Sequence, residues 1–317
     1  MPTGPAGHEL VDLVSGVVGS AVINVDPIQG SVANLDYLVQ AADHRRYIVK
    51  IGPRAEMVAE AWACRRLAHT GVPVPEIVHL ESGHGGPGHG EQGHDGPGQD
   101  GSETAVLIVS FLPGAASDSA TIFEATGRAI RQVHAERLPG WGPLVVDADD
   151  QARGRFRTWR EAVLDNLSGL PELVAAGIID ARLADVARDC VAVREVLDYR
   201  GPGVLVHNDL KPAHLFALED EGQARLSGII DWGDAGVGDP LVDLARLSMS
   251  GPEALQAFAA GYGIDLTPAL DQMLARYRIL WNIAALTYEH RAGGDWFDVY
   301  REMVRRDTEL TTSRSSN

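Results

Sequence analysis

From Val204 to Asp239 the chain reads VLVHNDLKPAHLFALEDEGQARLSGIIDWGDAGVGD, and the fold is decided by how this stretch is understood. It contains two apolar runs of strand character, VLV (204–206) and SGII (227–230), each leading straight into groups that handle protons or metal. His207, Asp209, Lys211 and His214 follow the first run, and Asp231 follows the second. A carboxylate leaving the end of a rigid strand can be aimed at a bound hydroxyl or phosphate. Two of them suggest a base and a metal ligand.

HNDLKPAH followed by IIDWGD resembles the catalytic loop and metal-binding turn of the aminoglycoside phosphotransferase family, antibiotic kinases built on a protein-kinase-like fold. The usual pattern is H-x-D-x-x-x-x-N and then a strand ending in Asp. Here His214 stands in place of the Asn, a departure shared by some macrolide and aminoglycoside kinases of that family. The resemblance implies a bilobal α+β protein. A small N-lobe, residues 1–112, would carry a five-stranded antiparallel sheet and one main helix; a larger, mostly helical C-lobe would span 113–317.

The resemblance also assigns roles. Asp209 would orient the acceptor hydroxyl and accept its proton, and Lys211 would stabilise charge on the transferred γ-phosphate. Asp231 would bind Mg²⁺ with His214 beside it, although an imidazole is a softer ligand whose lone pair is lost on protonation below about pH 6.5. His207 is expected as a brace under the metal turn, Asp239 and Asp243 as structural supports, and Asn208 has no assigned role.

Composition permits such an enzyme without requiring it. The chain has 317 residues, 45% hydrophobic and 22% charged, which is ordinary for a globular protein with well-buried cores. With 27 Lys and Arg against 44 Asp and Glu, the formal charge is −17, which repels polyanions and argues against nucleic acid or an anionic membrane as partner. A cationic small molecule would suit that field, as would plain solubility. Cys64 and Cys190 are too few and too separated for a disulfide framework or zinc ribbon, in keeping with a reducing cytoplasm. Neither a leader pattern at the N-terminus nor an apolar run near the ~20 residues of a membrane span is present.

In chain order, residues 8–18 predict a short leading helix, and 21–28, 33–42 and 45–51 predict a three-stranded meander. Lys50 lies near the end of the third strand. Residues 54–69 are helical in composition and period, with Glu56 and Glu60 one turn apart. By resemblance Lys50 pairs with Glu60 to grip the nucleotide phosphates, Glu56 being the fallback, while Gly30 and Ser31 lie in a loop over them. Runs 76–82 and 103–114 complete the sheet; the Gly-, Pro- and His-rich insert 83–101 between them has nothing to bury and is expected to be a disordered loop. Ser110 and Leu112 fall where the family reads the nucleotide base, ATP or GTP.

Helical periodicity takes over from residue 119: 119–138, about 154–167 after a turn at 140–144, 171–199, 267–291 and 295–306. The last two carry Trp281, Glu289, Trp296 and Asp298. By resemblance they form the acceptor wall, with Glu289 and Asp298 meeting amines and Trp281 and Trp296 stacking on sugar or macrolide faces. The expected activity is transfer of a γ-phosphate to a hydroxyl of an antibiotic such as an aminoglycoside, macrolide or peptide. A kinase of homoserine, choline or a sugar, a protein kinase, a nucleotide-binding pseudokinase and a metallohydrolase using His207, Asp209, His214 and Asp231 stay open beside it.

Overall fold

In the computed structural model, residues 5–28, 34–82, 103–220 and 222–313 are described. Gly30, Ser31 and the insert 83–101 lie outside them. A leading helix α1 (Pro5–Val18) precedes strands β1 (Val22–Ile28), β2 (Leu35–Ala41) and β3 (Arg46–Pro53), then helix α2 (Arg54–Leu67) and strands β4 (Ile77–Ser82) and β5 (Thr104–Ser110). These strands form one antiparallel sheet in the order β1-β2-β3-β5-β4. Its two faces bury different partners because strand side chains alternate. Val39, Tyr47, Val49 and Ile108 pack with Leu10 and Val14 of α1. Ala105, Leu107 and Val109 pack with Met57 and Ala61 of α2. Period two therefore turns Lys50, two residues after Ile48, toward α2.

The rest of the chain is mostly helical, with two small sheets that carry the loops of interest. Strand β6 (Ala115–Ala116) precedes α3 (Ala120–Val133), which starts where the Ser119 side chain accepts from the Ile122 N–H. A hairpin of β7 (Trp141–Val146) and β8 (Ala152–Phe156) follows, then α4 (Trp159–Asn166). Sequence periodicity predicts a helix from about 154. Residues 152–156 instead pair with β7, and the helix begins only after a capping box in which Thr158 and Glu161 satisfy each other's backbone N–H groups.

Helices α5 (Leu170–Ala175), α6 (Ala181–Val191) and α7 (Arg194–Leu197) lead into β9 (Val204–Val206), β10 (Leu215–Asp220), β11 (Gln223–Ile229) and β12 (Gly236–Gly238). One sheet runs β11-β10-β6 and the other β8-β7-β12-β9. Helices α8 (Leu241–Ser248), α9 (Pro252–Tyr262), α10 (Pro268–Ala292) and α11 (Phe297–Ser313) close the fold over a core that includes Trp232 and Phe258, both fully buried.

Helices α3 and α9 meet backbone to backbone. A Cβ on Gly127 would strike the Phe258 carbonyl oxygen, and one on Gly261 would strike that of Glu124. Gly127→Val should therefore force the pair apart and lower stability by about 1–3 kcal/mol, although glycine is the weaker helix former. Urea unfolding should show a lower midpoint at unchanged slope.

Candidate active site

Three segments that are distant in sequence converge between the large sheet and the helical part. From β3, the Lys50 ammonium lies 2.5 Å from Glu60 Oε2 on α2 and 2.9 Å from Asp231 Oδ1. Both Lys50 and Glu60 are buried. Burial disfavours the Lys50 charge, but Glu60 and Asp231 outweigh it and hold its pKa above the ordinary lysine value. Burial likewise opposes the Asp231 charge, yet the hydrogen bond to His214 and the neighbouring Lys50 keep that carboxyl well below its usual range.

The second segment is the loop after β9. Asn208 takes the left-handed conformation at φ 69°, uncommon for a side-chain-bearing residue. Its N–H donates to Asp243 Oδ1 at 2.7 Å, and the His207 N–H to Asp243 Oδ2 at 2.9 Å. Asp243 is fully buried and also meets His134 Nε2 at 3.1 Å, which with its other donors keeps it ionised despite burial. His207 Nε2 must donate to the Ile230 carbonyl at 2.9 Å, since a carbonyl only accepts, and its ring packs on Trp232 at 4.5 Å. His207 thus ties this loop to the end of β11. Burial and then His214 lower its pKa, favouring the neutral ring.

Asp209 follows, nearly buried. Its Oδ1 accepts from Arg246 Nε at 2.8 Å and its Oδ2 from Lys211 Nζ at 2.7 Å. Burial raises its pKa, but Arg246, His214 and Lys211 together bring it below the ordinary value.

The third segment is the turn after β11. Asp231 is left-handed at φ 67° and opens a short 3-10 turn, Trp232–Asp234, that packs against α2. The approach is close: a Cβ on Gly233 would lie 3.5 Å from Glu56 Cβ.

One ligand atom each of Asp209, His214 and Asp231 lies within 4.8 Å of the others, a spacing that a single cation can bridge. His214 decides whether these residues fit a metal. Its Nδ1 must donate to the Asp209 carbonyl at 3.0 Å, so a neutral ring turns the Nε2 lone pair toward Asp231 Oδ2 at 3.1 Å. Two lone pairs facing one another need a positive charge between them, either a proton on the imidazole or a bound cation. The donor set of two carboxylates and one imidazole fits a divalent ion.

Carboxylates outnumber cations here. Burial and then the neighbouring Asp234 and Asp231 push Glu56 up to about 7. Asp234, still open to solvent, is raised to about 6 by the surrounding protein walls and then by Asp209 and Asp231. Asp36, opposite Lys50 on β2, is raised by burial, and its Oδ1 has no hydrogen-bond partner among the described residues.

The remaining expected residues sit as follows. Ser110 ends β5 with its N–H on the Glu76 carbonyl and its hydroxyl accepting from the Glu76 N–H, both at 2.9 Å, while Leu112 covers Gly228. Trp281 donates from Nε1 to the Asn208 carbonyl at 2.8 Å, and the Arg246 guanidinium carbon lies 4.1 Å from its ring centroid. Glu289 is buried with Oε2 unpartnered among the described residues. Trp296 is 57% exposed, and Asp298 is an exposed partner of Arg301.

The model of the phosphotransferase enzyme family matches residues 24–279, most of the chain. The chain belongs to the phosphotransferase enzyme family. No curated protein sequence matches this phosphotransferase significantly. Solved structures do. A thermostable variant of the aminoglycoside phosphotransferase APH(4)-Ia, in complex with ADP and hygromycin B, matches with a TM-score of 0.69 at 17% identity over 96% of this chain and 98% of that one. A protein provisionally described as a fructosamine-3-kinase from Thermobifida fusca reaches 0.68 at 17% identity, over 98% and 100%. The macrolide 2'-phosphotransferase MphH from Brachybacterium faecium reaches 0.59 at 19% identity, over 93% and 97%. At such identities the likeness establishes the fold, a protein-kinase-like α+β architecture.

Reading the phosphotransferase from its sequence missed Arg246, Asp36, Asp234 and the backbone of Asn208. Arg246 stands one helical turn after Asp243 in DLARL, a spacing that was available; that it reaches Asp209 was not.

The raised Glu56 carboxyl binds its proton more tightly folded than unfolded. Its contribution to stability is present below the ordinary carboxylate range and is lost as pH rises through about 7. Glu56→Gln should raise the Tm of the metal-free protein at pH 8 and leave it unchanged at pH 4, as read by calorimetry.

Proposed function

We propose that this phosphotransferase moves the γ-phosphate of ATP or GTP to a hydroxyl of a small molecule, and that the acceptor is an antibiotic of the aminoglycoside, macrolide or peptide class. The observation that carries the reading is the convergence of Lys50, Glu60, Asp209, His214 and Asp231 into one connected set of charges. The nucleotide would sit between residues 1–112 and 113–317, its base along the segment at Ser110 and Leu112 and its phosphates under the loop of Gly30 and Ser31.

Lys50, held by Glu60, would meet the α- and β-phosphates. Asp209 would orient the acceptor hydroxyl and take its proton, and Lys211 would leave Asp209 for the transferred phosphoryl group. Asp231 and His214 would hold Mg²⁺, which when bound neutralises triphosphate charge. Glu289 and Asp298, with the −17 overall charge, favour a cationic acceptor, and Trp296 offers an exposed stacking face. The fructosamine-3-kinase likeness, as near in TM-score as the aminoglycoside enzyme, favours kinase action on a small metabolite as the second reading.

A panel of both acceptor classes, scored by mass spectrometry for an added phosphate, should separate the two. Asp209→Ala should abolish transfer while a fluorescent nucleotide still binds nearly as well; full activity in that variant would falsify the mechanism. His214→Asn, which replaces a softer ligand by a hard oxygen, should shift the rate ratio toward Mg²⁺ over Mn²⁺.

A further inference from the structure

One turn of α8 grips three consecutive residues of the loop after β9. Asp243 accepts the N–H groups of His207 and Asn208, and Arg246, three positions on, donates to the side chain of Asp209. From α10, Trp281 takes the Asn208 carbonyl and lies under the Arg246 guanidinium. Tyr300 of α11 meets the Trp281 ring edge-on at 5.9 Å. These bonds hold Asn208 in its left-handed conformation, which would otherwise relax.

The two oxygens of Asp209 are not equivalent. The Arg246 side chain is 11% exposed, so its bond to Oδ1 is sealed against the Trp281 ring on which it stacks. Lys211 holds Oδ2 from a side chain that is 34% exposed and free to change partners. A guanidinium can stack and donate in its own plane at once, which an ammonium cannot. We propose that Arg246, seated on Trp281, is the positioning residue that divides the work of Asp209, anchoring Oδ1 so that Oδ2 faces the acceptor hydroxyl. This rests on Asp209 being the group that takes the hydroxyl proton. The stack also occupies a Trp281 face that the family resemblance assigns to the acceptor.

The test uses the full chain, with ATP and the acceptor phosphorylated in the panel above. Arg246→Met should lower kcat about 10²-fold, the usual effect of misplacing a reacting group by about 1 Å, with KM for ATP within about twofold. Arg246→Lys should recover about tenfold of that loss, and Trp281→Phe should lower kcat about tenfold. A crystal structure of Arg246→Met should show the Asp209 carboxylate rotated from its wild-type position.

Arg246→Met with kcat within about threefold of wild type, or with Asp209 unmoved, overturns the proposal. So does a loss of nucleotide affinity and Tm that parallels kcat across the variants, since a purely structural role predicts that. Should Arg246→Met not fold, the Arg246→Lys and Trp281→Phe comparison decides alone. Asp209→Asn separates the two layers: full transfer there removes the underlying mechanism, whereas an inactive Asp209→Asn beside an active Arg246→Met removes only the positioning role.

Discussion

The Lys50 ammonium, lodged between Glu60 and Asp231, joins three elements that share no local sequence: β3, α2 and the turn after β11. Taking a lysine out of water costs several kcal/mol unless its charge is matched, and removing one member of such a pair leaves an uncompensated buried ion. The large sheet and the helical part are thus held in register by an electrostatic requirement as well as by apolar contact. The close packing of Gly233 on Glu56 lets the Asp231 turn come near enough for the ion pair to form.

A second group of buried polar atoms works on the other side of the site. Asp243 satisfies the His207 and Asn208 N–H groups, His134 satisfies Asp243, and Tyr262 lies 2.8 Å from the other nitrogen of His134. Asp239 accepts from Tyr277 at 2.7 Å and from the Leu241 N–H at 2.9 Å, fixing the start of α8. Most of these polar groups are removed from water and therefore held in one geometry by their partners. The left-handed backbone at Asn208 is tolerated because Asp243 and Trp281 hold it, while Asp231, also left-handed, is held by Lys50 and His214.

Much of the fold was legible. Five strands and α2 follow from alternation and helical period, and the expected ranges differ from the structure by a few residues at each end. The failure at 152–156 is instructive: ARGRF has no decisive period, and its pairing with β7 is a contact made after the chain has turned. The convergence of Lys50, Glu60, Asp209, His214 and Asp231 was foreshadowed by resemblance, because the loop and turn match a family pattern that also pairs a strand lysine with a helix glutamate. Arg246 and Asp36 were not, since each looks like an ordinary charged residue until a neighbour from another element is placed beside it.

By itself the sequence determined the order of the elements, the family-like loop and turn, and the anionic balance, because these depend on local period, residue type and composition. Only the tertiary structure decided that Trp281 lies beneath Arg246 and bonds the Asn208 carbonyl, that the oxygens of Asp209 have different partners, and that Glu56 and Asp234 crowd the Asp231 turn. Those outcomes depend on distances of a few ångströms between residues far apart along the chain. At that range burial and charge change a side chain's protonation and partners without leaving any mark in the local sequence.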